Sequence, residues 1–129
     1  MAGSEHRPDR LVIVVWSAGP DRPVQAAAPF VYALAARALE VDVEMHFTST
    51  AVRWLVAGVA DGAYTDAAQT KTVADFIREA KAAGVRLYAC SMAMNEHGRG
   101  EALTSVCDGY AGAATVVAAA MQGSRTLVF

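Results

Sequence analysis

Residues 11–16 read Leu-Val-Ile-Val-Val-Trp, LVIVVW, a continuous apolar and β-branched run with no alternation between faces. A strand with one wet face alternates apolar and polar residues. An unbroken run instead marks a strand covered on both sides, as in a parallel sheet flanked by helices. The next segment agrees with that reading. Asp21 is placed to cap a helix and Pro23 suits its first turn, while Val24, Ala27, Ala28, Val31, Leu34, Ala35 and Ala38 recur at three-four spacing.

Farther along, residues 41–47 (VDVEMHF) set Val41, Val43, Met45 and Phe47 against Asp42, Glu44 and His46. This alternation predicts a strand with one more polar face, placed toward an edge of the sheet. Thr48-Ser49-Thr50 offers a cap to a short helix carrying Val52, Leu55, Val56 and Val59, and the following loop to Thr70 has no period. Thr72 opens a helix with Val73, Phe76, Ile77 and Ala80 on one face, closed by Gly84. Val85 to Ala89 reads as a strand and NEHGRGE as a loop. A weak strand near Tyr110, a helix through Val116, Val117, Ala120 and Met121, and a last strand over Thr126 to Phe129 complete the chain. Strands alternating with helices predict an α/β fold: one domain with a mainly parallel sheet of about five strands and helices on both faces, flavodoxin-like or Rossmann-like.

The chain has 129 residues, 54% hydrophobic and 19% charged, enough for one well-buried core and too few for two. Residues 1–9 read as a flexible lead-in to a domain over 10–129, because MAGSEHRPDR is polar, of mixed charge and followed by no signal-peptide apolar region. A net charge of -2 with scattered basic residues predicts neither nucleic acid nor membrane as a partner. Two cysteines in a chain read as unexported predict free thiols and a cytoplasmic location.

Ligands of open α/β sheets gather beyond the carboxyl ends of the strands. Three stretches fall there: Ser17-Ala18-Gly19-Pro20, His46-Phe47-Thr48-Ser49 and Cys90-Ser91-Met92-Ala93. Cys90 carries the most chemistry. A helix starting after it would aim backbone N–H groups at the sulfur and favour the thiolate, so its thiol is expected to ionise below the ordinary range. The plain alternative is a packing cysteine at the end of an apolar run. Cys107, away from any clear strand end, reads as structural. His46 is a candidate to orient a ligand or carry a proton, with a satisfied or solvated histidine as the alternative. Met92 and Met94 can line a pocket beside the sulfur or fill core, and Arg99 and His97 read as loop residues.

Other chemistries find no pattern. The loop after the first strand has neither G-x-G-x-x-G nor G-x-x-x-x-G-K-[ST], there is no C-x-x-C or G-x-S-x-G, and the cysteines and histidines match no zinc spacing. No cofactor and no metal is expected.

LYACSMAM, the later DGYAGAATVV, the early strand with SAGPDRP and its alanine-rich helix, and the FTS turn together resemble the DsrE/DsrF-like proteins over Leu11 to Phe129. ACSMAM is the most specific piece, similar to the ACSMSM-type segment of the branch often labelled peroxiredoxin-like. The resemblance implies a compact α/β subunit that assembles into trimers or hexamers. It also implies a cysteine, at the position of Cys90, that carries sulfane sulfur as a persulfide in sulfur-relay or sulfur-oxidation pathways. A thioredoxin-fold peroxidase would show P-x-x-x-T-x-x-C, whereas Ala83-Gly84-Val85-Arg86-Leu87-Tyr88-Ala89 precedes Cys90, so a genuine peroxiredoxin is not expected.

Two functions follow. In the first, a sulfurtransferase-like carrier holds sulfur on Cys90 and exchanges it with donor and acceptor proteins or low-molecular-weight persulfides, with Ser91, Met92, Ala93, Ser17 and His46 around the substrate. In the second, a non-enzymatic homo-oligomeric module binds a small ligand or partner, with Cys90 as a wall residue. Trp54 and Tyr64 are the expected exposed anchors of self-association.

Overall fold

A computed structural model describes residues 9–129. The lead-in read at residues 1–9 therefore lies, apart from Asp9, outside the described residues. The elements run β1 (Arg10–Val15), α1 (Pro23–Ala38), β2 (Asp42–Phe47), a 3-10 helix (Ser49–Leu55), α2 (Val73–Ala82), β3 (Arg86–Cys90), α3 (Ser91–His97), β4 (Gly109–Ala111), α4 (Ala113–Met121) and β5 (Arg125–Val128). All five strands are parallel, in the order β4-β3-β2-β1-β5.

Local chemistry sets the helix starts. Thr72 and Asp75 form a reciprocal capping box at α2, the hydroxyl accepting from Asp75 N and the carboxylate from Thr72 N. Gly84 adopts φ +92 after that helix, a left-handed turn that glycine takes without a side-chain clash. At α1 the N-cap is Arg22, with Pro23 in the first turn, so Asp21 does not cap it. NEHGRGE is only partly a loop, because α3 continues through His97.

Three successive crossovers, β1 to β4, step the same way across the sheet, so right-handed connections place their helices on one face. The core lies there. Phe30 of α1 packs on Phe47 of β2 and Phe76 of α2, with ring centroids 6.0 and 5.9 Å apart. Trp54, only 1% exposed, sits in the same core and donates Nε1–H to Ala18 O at 2.6 Å, tying the 3-10 helix to the turn after β1. Burying an indole contributes on the order of 4–6 kcal/mol at the usual area coefficient. Trp54 is thus no surface anchor, which corrects the sequence expectation; Tyr64 is exposed.

The chain then reverses. β5 returns to the far side of β1, and α4 crosses the opposite face. Val12 is fully buried there, but Val14 only partly, and along α4 only Ala119 is buried. The expectation that β2 lies toward an edge is also corrected: β2 is the central strand. Its polar side chains Glu44 and His46 are 3% and 5% exposed, because they satisfy each other and neighbouring arginines within the second face.

Candidate functional site at the carboxyl ends of β3 and β4

The helix leaving β3 joins the main core, and the helix leaving β4 goes to the other face. Between two such strands the loops diverge and leave a crevice beyond their carboxyl ends. Cys90, the last residue of β3 and the N-cap of α3, stands at that crevice. Behind it is a cavity of about 190 Å³, with Val14, Ala113, Val116 and Val117 among its apolar lining and His46, Thr48 and Cys90 as the polar part.

The Thr48 side chain and the backbone of Met92 and Ala93 lie beside the sulfur and favour its charged form, although Cys90 makes no side-chain cap hydrogen bond to α3. Burial pushes the Cys90 thiol up, and these polar neighbours outweigh it, leaving the group more acidic than an ordinary thiol. The direction is the one the sequence implied, but the leading polar neighbour is a side chain that sequence reasoning had assigned elsewhere. Thr48 makes no side-chain cap to the 3-10 helix. Its N–H is held by Val15 O at 2.9 Å, which fixes the residue at the end of β2.

Cys107 behaves in the opposite way. Its sulfur donates to Leu87 O at 3.6 Å and Gly109 O at 3.4 Å, and burial pushes its thiol up. It serves the loop before β4, which Asp108 also pins by accepting from Leu87 N at 2.7 Å and Lys81 Nζ at 2.5 Å. Both cysteines are free.

Of the residues singled out in the sequence, the fold brings Cys90 and His46 to one cavity. The backbone of Met92 and Ala93 lies beside the sulfur; the Met92 side chain is 78% exposed and Ala93 faces the core. Ser91 is exposed on the first turn of α3, and Ser17 is exposed after β1, outside the cavity lining. Met94 is buried in the core, Arg99 is exposed, and the His97 carbonyl accepts from Arg53 Nη1 at 3.0 Å.

Glu44 is the residue that sequence reasoning missed most completely. Its Oε1 accepts from His46 Nε2 at 2.9 Å, while Oε2 lies 3.2 Å from Arg10 Nη2 and 3.3 Å from Arg86 Nη2. Burial pushes this carboxyl up, but His46 and Arg10 hold it below the ordinary carboxylate range. The clue was present in the i, i+2 spacing of Glu44, His46 and Thr48, which puts all three on one face of a strand.

The family's sequence profile matches residues 10–129. The chain belongs to the DsrE/DsrF-like family. Among solved structures, YchN from E. coli is 17% identical, covers 94% of this chain and 99% of its own, and superposes with a TM-score of 0.75. MTH1491 from Methanobacterium thermoautotrophicum is 19% identical, with coverages of 94% and 99% and a TM-score of 0.67. BT1422 from Bacteroides thetaiotaomicron is 15% identical, with coverages of 94% and 95% and a TM-score of 0.64. The latter two are described as proteins of unknown function, so at these identities the likeness establishes the fold. No curated protein matches the sequence.

A larger cavity in this DsrE/DsrF-like chain, about 600 Å³, lies at the amino ends of the strands between Asp9, Arg10, Asp42 and Arg125. It is at the wrong end of the sheet for the thiol, and no cysteine is among its described lining residues. Among the described residues no cluster of His, Cys, Asp and Glu is arranged to hold a metal ion, and no helix is long and apolar enough to cross a membrane.

Proposed function

We propose that this protein is a persulfide carrier. Family membership supports a sulfur-relay role. The observation that carries the finer reading is the place of Cys90 at the start of α3, lining a small cavity together with His46 and Thr48. Exchange of sulfane sulfur needs an accessible thiolate and donors that stabilise charge on the sulfur pair. Cys90 thiolate attacks the outer sulfur of a donor persulfide, holds it as Cys90–S–SH, and yields it to an acceptor thiol.

The donors are persulfide-bearing proteins or small persulfides and the acceptors are thiols, and a reducing compartment such as the cytoplasm suits two free thiols. The working form is a homo-oligomer. Helix α4 carries no charged residue, and Val117, Met121, Leu127 and Val128 are exposed along α4 and β5. Exposed apolar residues on a helix and the edge strand beside it mark an association site. A trimer or a hexamer is the expected assembly.

Incubating the purified protein with a sulfane-sulfur donor and weighing it intact tests the reading. One added sulfur mapped to Cys90, lost in Cys90→Ser and kept in Cys107→Ser, is the expected result. No adduct with several donors would instead favour a ligand-binding module in which Cys90 is a wall residue.

A further inference from the structure

We infer that His46 is the proton carrier for sulfur exchange at Cys90 and that Glu44 positions it for that task, an inference that rests on the carrier reading above. His46 lines the same cavity as Cys90 although it is almost wholly buried. In the sheet register His46 pairs with Tyr88, and Cys90 follows Tyr88 by two residues, so the imidazole and the thiol share one face of neighbouring strands. The ring is held from two sides: Tyr88 stacks on it with centroids 5.2 Å apart, and Glu44 Oε1 takes its Nε2 at 2.9 Å.

This arrangement fixes the tautomer. An ionised Glu44 can only accept, so a neutral His46 donates Nε2–H and keeps its lone pair on Nδ1. Among the described residues Glu44 is the only hydrogen-bond partner of the ring. The charged and titratable groups around the ring are Glu44 on its own strand and Tyr88 and Cys90 on β3, with Arg10 and Arg86 behind Glu44. From β1 and α4 come Val14, Val116 and Val117, which bring no charge.

The exchange leaves a proton to be moved twice. Cys90–SH gives its proton to His46, forming thiolate and imidazolium. The thiolate attacks the outer sulfur of R–S–SH, the Cys90 S–S bond forms, the donor S–S bond breaks, and R–S⁻ leaves while the proton on the transferred sulfur stays in place. Imidazolium then protonates R–S⁻. The sum is Cys90–SH plus R–S–SH giving Cys90–S–SH plus R–SH, with no outside oxidant or reductant. The imidazolium is stabilised while it exists by the carboxylate of Glu44, whose charge is balanced by two arginines when the ring is neutral.

The test follows the rate of Cys90 loading from cysteine persulfide by intact mass, at pH 5.5 to 9, in wild type, His46→Gln and Glu44→Gln. At neutral pH His46→Gln should load about 100-fold more slowly, at the low end for general acid–base catalysis because Thr48 already favours the thiolate. Its dependence of rate on pH should also differ from that of wild type, because one proton-carrying group is gone. Glu44→Gln should also load more slowly, because an amide can donate as well as accept and no longer holds His46 in the Nε2–H tautomer. His46→Gly should regain rate with added imidazole, an effect a merely structural histidine would not show. Loading by His46→Gln at the wild-type rate and with the wild-type pH profile would overturn the inference while leaving the carrier reading standing. A wild-type protein that takes up no sulfur would overturn both. If His46→Gln fails to fold, the loading rate of Glu44→Gln decides: the wild-type rate at every pH overturns the inference.

Discussion

Replacing Thr48 by valine removes one hydroxyl and almost nothing else. Thr48 is half-buried at the end of β2, lines the cavity with Cys90, and its hydroxyl favours the Cys90 thiolate. A hydrogen bond to a charged group contributes about 1.5–3 kcal/mol. Water reaches the half-exposed sulfur and replaces part of it, so a loss near the bottom of that range is expected, and about 1.4 kcal/mol corresponds to a tenfold change in thiolate population. Below the midpoint of the thiol, iodoacetamide should therefore label Cys90 roughly tenfold more slowly in Thr48→Val than in wild type. The two rates should converge at high pH, where both thiols are ionised. Cys107, pushed up by burial, should label more slowly than Cys90 in both proteins. Peptide mass spectrometry against pH gives the two midpoints. An unchanged Cys90 profile in Thr48→Val would refute the claim that this hydroxyl tunes the sulfur. A Cys90 midpoint at or above that of a free thiol would make it a core residue.

Three further outcomes are expected. Thiosulfate should fail to load Cys90 under conditions where an alkyl persulfide succeeds, because no lysine or arginine lines the cavity to hold a sulfonate; equal loading in a mass measurement would refute this. Val117→Asp should shift the protein toward the monomer in light scattering while leaving its far-ultraviolet dichroism intact, since Val117 is exposed on α4; an unchanged mass would place the interface elsewhere. Glu44, held below the ordinary 4.5 in the fold, contributes stability that is complete above that value and lost as pH falls through the lower folded value. Thermal melts of Glu44→Gln should accordingly fall less steeply with acid than those of wild type, and parallel curves would contradict it.

Much of this architecture was legible because its signals are local. The unbroken LVIVVW run, the Thr72 cap and the Gly84 stop each name an element from a few adjacent residues, and the observed order of strands and helices follows them. The site was legible only in part. Cys90 and His46 stand at strand ends in the sequence itself, but Thr48 sits in a run of hydroxyl residues that also reads as a helix cap. The choice between those roles depends on the neighbouring strand. The placement of β2 failed for a related reason. Alternating acidic and apolar residues signal water on one side, yet here the partners of Glu44 come from Arg10, 34 residues earlier, and Arg86, 42 residues later, a distance over which periodicity carries no information. Trp54 was misplaced because a short helix without a clear period does not show which way its indole points.

The position of that acidic group bears on what the second face of the sheet is for. Burying a carboxylate and an imidazole beside two partly exposed arginines is no route to extra stability, because well-packed apolar residues of similar volume do as well or better. On the opposite face the same strand uses Val43, Met45 and Phe47, all fully buried, and the core there needs no ion pair. Stability alone therefore gives no reason for Glu44 and His46 on the central strand. Their place on it does: the polar stripe starts at Arg10 and Arg86, passes through Glu44 and His46, and meets Thr48 and Cys90 at the carboxyl ends, where α/β sheets bind their ligands. Moving the pair one residue along β2 would turn both side chains into the apolar core. It would also take His46 away from the cavity that holds the thiol.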